Sequence, residues 1–141
     1  MNCDGCYECC ISLPINDTAL TKPENSKCTF CDKGCTIYEE RPESCVNFNC
    51  VYIDEGYNES LRPDRSGVIF DRITTKIYYG LVSERRINTW DTIQMGEYIK
   101  SLNAKGISVV IAAFSTGITD IRCAKGHDIN KVLEIALRYK N

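Results

Sequence analysis

Nine of the ten cysteines in this chain lie between Cys3 and Cys50, in two clusters. The first is Cys3-Asp4-Gly5-Cys6-Tyr7-Glu8-Cys9-Cys10. The second is Cys28-Thr29-Phe30-Cys31-Asp32-Lys33-Gly34-Cys35, and it continues through Arg41-Pro42 to Cys45 and Cys50. A two-residue gap lets successive thiolates of one tight turn converge on a single ion, with further ligands arriving from the other cluster. The segment has too few large apolar side chains for a core of its own, so something other than burial must order it. Metal is the expected agent. A disulfide framework competes, since the cysteine count is even. It is disfavoured by the adjacent Cys9-Cys10, because a bridge between sequence neighbours is strained, and by the reducing compartment expected here.

That compartment follows from the chain's opening and its hydropathy. Met1-Asn2-Cys3 leaves no room for a signal peptide before the first cluster, and no run of 18 apolar residues exists. A cytoplasmic protein with no membrane span is therefore expected. The 141 residues, 43% of them hydrophobic, suit a small module joined to a small domain. Residues 1–52 carry 4 Lys and Arg against 8 Asp and Glu, a formal −4; residues 53–141 carry 13 against 11, or +2. Thiolates around a metal deepen the negative charge of the first part, which Lys27, Lys33 and Arg41 offset in part. The overall charge of −2 gives no general reason to expect nucleic acid.

The pattern along the chain predicts an α+β fold: a cysteine-rich metal-binding module over 1–52, then a β-β-α-β-β-α domain over 53–141. Ile11, Leu13 and Ile15 alternate with Ser12 and Pro14 and predict a short edge strand. Asn16 to Lys27 is polar and predicts a loop, and Thr36-Ile37-Tyr38 another extended piece. Arg41, ahead of Pro42, is pushed away from helical geometry, and a helical turn starts behind it. The acidic, turn-rich stretch Asp54 to Asp64 marks a boundary. Gly67–Phe70 and Lys76–Val82 predict strands. Asn88 is a candidate N-cap for a helix bearing Trp90, Ile93, Tyr98, Ile99 and Leu102, which ends at Gly106. Ile107–Phe114 and Ile118–Cys123 predict a hairpin pair linked by Ser115-Thr116-Gly117. Asp128 caps a last helix with Ile129, Val132, Leu133, Ile135, Ala136 and Tyr139 on one side.

With the residues laid out, Cys6-x2-Cys9-Cys10, then Cys28, then Gly34-Cys35-Thr36-Ile37-Tyr38-x2-Arg41-Pro42-x2-Cys45-x2-Phe48 resembles the YkgJ-type zinc- or iron-chelating cysteine-cluster family. A similar cysteine module occurs in flagellin lysine methylases. The resemblance covers about residues 1–50, and Leu61–Phe70 weakly extends it. It departs at Cys31, where the family more often has an apolar residue, and at Cys3, an added thiol. The resemblance implies metal ligation by Cys9, Cys10, Cys28, Cys35 and Cys45, joined by Cys6 and Cys50. Cys3 and Cys31 are further candidates. Arg41 stands in the motif but cannot ligate. It is expected to brace the module by hydrogen bonds to backbone carbonyls, to Glu39 or Glu43, or to a cysteine sulfur.

Zinc and an iron–sulfur cluster both suit an all-thiolate set, with zinc slightly favoured. Cys123 and His127 have a C-x3-H spacing, read here as a buried strand cysteine and a loop histidine. Arg62, Arg65, Arg72, Lys76, Arg85 and Arg86 offer a basic surface for nucleic acid, against the plainer reading of a charged strand edge. Tyr78, Tyr79, Trp90 and Tyr98 read as core aromatics. No carboxylate pair or nucleophile triad announces a reaction. The expected function is thus a metal-held accessory or interaction subunit with a protein partner. An iron–sulfur redox or group-transfer enzyme and a nucleic-acid-binding module are the alternatives.

Overall fold

The chain alternates short capped helices with two sheets, seen in a computed structural model that describes residues 6–18, 20–48 and 50–140. The first helix, α1, is Glu8–Ser12. A two-residue ribbon follows, β1 (Ile15–Asn16) antiparallel to β2 (Thr21–Lys22). A 3-10 turn, Tyr38–Glu40, leads into α2 (Glu43–Val46), and α3 is Val51–Glu55. Three of the sequence expectations change here. Ile11 and Ser12, expected to open a strand over 11–15, instead end the helix 8–12, in which Glu8 and Ser12 are four apart and bond each other on the buried side. Extended structure begins only at Ile15, and the expected loop 16–27 supplies its partner strand. Thr36-Ile37-Tyr38, expected to be extended, instead forms a turn at 36–37 that runs into the 3-10 turn beginning at Tyr38.

A further 3-10 turn, Glu59–Leu61, and α4 (Pro63–Ser66) precede the main sheet. The stretch expected to be a boundary is therefore folded, and Val51 and Leu61 join the core of the sheet. Strands β3 (Val68–Thr74), β4 (Ile77–Val82), β5 (Ser108–Ala113) and β6 (Gly117–Arg122) lie in that spatial order. β3–β4 and β5–β6 are antiparallel pairs. The central pair β4–β5 is parallel, joined by the crossover helix α5 (Ile93–Ala104). The final helix, α6, spans Ile129–Lys140. Among the described residues the fold is thus mixed α and β with two sheets and six α-helices.

The strand alternation sorts side chains onto two faces. Phe70, Tyr78, Val109 and Ile111 meet Met95, Ile99 and Leu102 of α5. Tyr79, Val110 and Ala112 meet Val132 and Ala136 of α6. β5, covered on both sides, is buried at every position, which is why it reads as an unbroken apolar run. Each fully buried Phe, Ile, Leu or Met contributes roughly 1.5–3 kcal/mol of transfer free energy, so this sheet is the stable body of the molecule.

Helix α5 starts later than the sequence suggests. Thr92 is its cap, accepting the Met95 N–H at 3.1 Å, so Asn88 and Trp90 lie ahead of the helix. Ile93 is 82% exposed, off the buried stripe of Met95, Ile99 and Leu102. At the other end Gly106, at φ +82°, lets its own N–H reach Asn103 and the Ile107 N–H reach Leu102, both at 3.0 Å. Asp128 caps α6 through the Asn130 N–H at 2.8 Å. No helix of the described residues is long and apolar enough to cross a membrane.

Candidate metal centre

Four separate pieces of backbone carry the clustered thiols. Helix α1 presents Cys9 and Cys10, and it is pinned to the body through Glu8. That carboxylate is 2% exposed, and it accepts from Arg85 Nη1 at 2.7 Å and from Ser12 Oγ at 3.1 Å. The turn 28–36 is tied to α1 by the Cys28 N–H on the Cys10 carbonyl at 2.8 Å. Within it the Cys31 N–H closes on the Cys28 carbonyl at 3.0 Å, and the Phe30 N–H points at Cys28 Sγ at 3.4 Å. A left-handed Lys33, at φ +57°, completes the reversal that pairs Cys31 with Cys35. Arg41 is extended ahead of Pro42, and α2 carries Cys45. Cys50 caps α3 and bridges to Asp71 on β3, against the main sheet.

Seven of these cysteines face one cleft of about 650 Å³: Cys6, Cys9, Cys10, Cys28, Cys35, Cys45 and Cys50. Its opposite wall is the sheet face bearing Ile69, Asp71, Tyr79 and Leu81, with Phe114 and Tyr139. Cys31 is 5% exposed and sits behind the cleft, packed with Ile15 and Cys28. Cys3 lies outside the described residues. Cys123 is elsewhere, against the α6 side of the sheet. His127 does not meet Cys123's sulfur in any hydrogen bond described; its Nδ1 lies 2.5 Å from Ser108 Oγ, which also accepts the Ala124 N–H at 2.8 Å. With Ser108 fully buried, that pair anchors the 123–128 loop and offers no accessible nucleophile.

The thiols differ in their readiness to ionise. Cys10 is pushed down to about 6, first by a hydrogen bond from Cys9, then by one from Cys31 and by the charge of Lys22, against the opposing effect of burial. Burial pushes Cys6 up to about 11, outweighing the N–H groups of Glu8 and Asp64. Burial also raises Cys31, Cys35 and Cys45, with Arg41 working the other way at Cys35 and Cys45. Arg41 itself lies over the Tyr38 ring, 4.0 Å from its centroid, and lines the cleft. That contact is a cation–π stack.

The donor chemistry fits zinc or an iron–sulfur cluster, since every candidate is sulfur. A zinc tetrathiolate with bonds of about 2.3 Å needs sulfurs roughly 3.8 Å apart. As the side chains stand, no three Cys, His, Asp or Glu groups among the described residues close on one point. No disulfide joins the described cysteines either. Comparison with protein-family profiles, curated proteins and solved structures found no match.

Several residues around the site carry no obvious sequence signal. Lys22, in a polar Thr-Lys-Pro stretch, is buried against the first cluster. Asp71 lies in the cleft wall, its carboxyl raised by burial and bonded by the Tyr139 hydroxyl. Glu8 could have been found, because its spacing to Ser12 is helical. The arginines of the expected basic surface are mostly engaged. Arg62 pairs with Asp64 at 2.6 Å, Arg65 with Glu59 at 3.5 Å, Arg72 with Asp54 and Glu55 at 2.7 and 2.8 Å, and Arg85 with Glu8.

Proposed function

We propose that the first fifty residues bind metal through cysteine thiolates, zinc ahead of an iron–sulfur cluster, and that the chain works as an accessory or interaction subunit. The observation that carries this reading is the convergence of seven cysteines, from four pieces of backbone, on one cleft. Among the described residues, the small apolar cluster beside the thiols is Ile15 with Cys28 and Cys31, edged by Tyr7, Cys10, Leu20 and Cys45. So small a core does not outweigh the entropy of ordering some forty residues at about 1–2 kcal/mol each. Structural zinc supplies on the order of 10 kcal/mol in such modules.

An iron–sulfur redox or group-transfer enzyme is the second reading. It is favoured by the size of the cleft, since about 650 Å³ beside the thiols is far more than one ion occupies. Nucleic-acid binding is less well supported, because the arginines that would serve it are held by carboxylates.

Anaerobic titration of the metal-free chain with Co²⁺ tests the proposal. Intense near-ultraviolet thiolate charge-transfer bands with tetrahedral visible bands are expected, and they should be lost or shifted in Cys35→Ser and Cys45→Ser but kept in Cys123→Ser. Equal spectra in all three variants would overturn the ligand assignment.

A further inference from the structure

The thiol cluster is built around a buried positive charge. Lys22 on β2 is 7% exposed, and its register partner is Ile15, in the small cluster with Cys28 and Cys31. Its ammonium has three N–H donors, and three backbone carbonyls take them: Ile11 at 3.4 Å, Pro23 at 3.2 Å, and Leu13. Ile11 and Leu13 lie directly after Cys9-Cys10, so Lys22 fixes the exit of α1. All three acceptors are neutral. Among the described residues Lys22 forms no ion pair with a carboxylate; burial pushes its ammonium below the usual lysine range, and Cys28, Cys10, Cys9 and Cys45 act in the other direction. A desolvated ammonium without a countercharge is costly, and a lysine fully solvated at the surface would avoid that cost. The countercharge within reach is thiolate.

We infer that Lys22 is a positioning residue for the metal centre, a fixed internal cation that favours a closed tetrathiolate of net charge −2 over a site with fewer thiolates. This rests on the metal-binding reading above and adds to it the charge of the bound centre. Four thiolates on a divalent ion leave −2, whereas three thiolates and a water leave −1. A buried cation stabilises the first more than the second. For an iron centre the same charge favours the reduced, more negative state. One electron enters from a chemical reductant, and no proton is required.

The test loads the full-length chain anaerobically with Zn²⁺ and, separately, with ferrous iron, in wild type, Lys22→Gln, Lys22→Met and Lys22→Arg. Lys22→Gln keeps N–H donors for the carbonyls but removes the charge. Expected are a 10- to 100-fold weaker Zn²⁺ affinity by chelator competition in the Gln and Met variants and a lower midpoint potential of their iron-loaded forms. Lys22→Arg should stay near wild type on both measures. Loading by Lys22→Arg where Gln and Met fail to load also supports the inference. Weaker affinity with an unchanged potential, or failure of Lys22→Arg alongside the other two, would overturn it, because shape and not charge would then be at work. If wild type takes up neither metal, the metal reading fails first and this inference falls with it. If wild type loads and every variant matches it, only the role of Lys22 is refuted.

Discussion

Cys10 shows what burial and neighbours do to chemically identical groups. Held down to about 6, it is mostly thiolate at neutral pH, whereas Cys6, at about 11, stays protonated. Iodoacetamide at pH 7 should therefore label Cys10 faster than Cys6 in the metal-free protein, read by peptide mass spectrometry; equal rates would contradict the local electrostatics. The linkage has a definite sign. The folded value lies below the ordinary 9.0, so the unfolded chain holds this proton more tightly. The thiol's contribution to stability is complete above pH 9 and disappears as pH falls through about 6. Glu8 makes the same point with a carboxylate. Arg85→Ala strands it in a nearly dry position and should cost about 2 kcal/mol in urea unfolding, discounted because Arg85 is itself 45% exposed. A cost within error of zero would mean that α1 is not held by this pair. That the cysteines fall into two clusters was legible from spacing, whereas the ranking of individual thiols came from the family resemblance. How each is tuned was not legible, because Lys22 and Asp64 reach the cysteines from other elements.

At the scale of elements, local signals worked where one residue type has a strong backbone reason. Gly106 ends α5 at positive φ, and Asp128 opens α6, because glycine and aspartate do those jobs cheaply. They misled where two residues of similar propensity compete. Asn88 and Thr92 are both acceptable caps, and only packing decides, because a helix starting at Ile93 turns Met95, Ile99 and Leu102 toward Phe70 and Ile111. Thr92→Ala should therefore destabilise the protein by about 1 kcal/mol, while Asn88→Ala leaves it within a few tenths. The reverse order in thermal unfolding would restore the earlier start. The short elements of residues 8–46 were the least legible. Apolar alternation at Ile11, Leu13 and Ile15 suggested a strand, but the Glu8–Ser12 bond and the Arg85 pair select a helical turn across its first half. Propensity carries little weight in pieces of two to five residues.

The whole molecule divides by what stabilises it. The sheet with α5 and α6 has two buried layers and needs no cofactor to hold them. The cysteine-bearing region has a handful of buried apolar groups and is joined to the sheet through Glu8–Arg85, Cys50–Asp71 and the α3 contacts of Arg72. Chelation should therefore strip amide protection from residues 6–48 while β3–β6 stay protected in hydrogen exchange. The central claim, that thiolate-bound metal organises this region, is tested most directly by the metal content and visible spectrum of the anaerobically purified protein. The expected result is zinc near stoichiometric with the chain and a featureless visible spectrum; iron with inorganic sulfide and broad visible absorption would keep the claim and change the metal. Protein that is metal-free as purified, takes up neither metal on anaerobic reconstitution, and still protects the amides of residues 6–48 would contradict it.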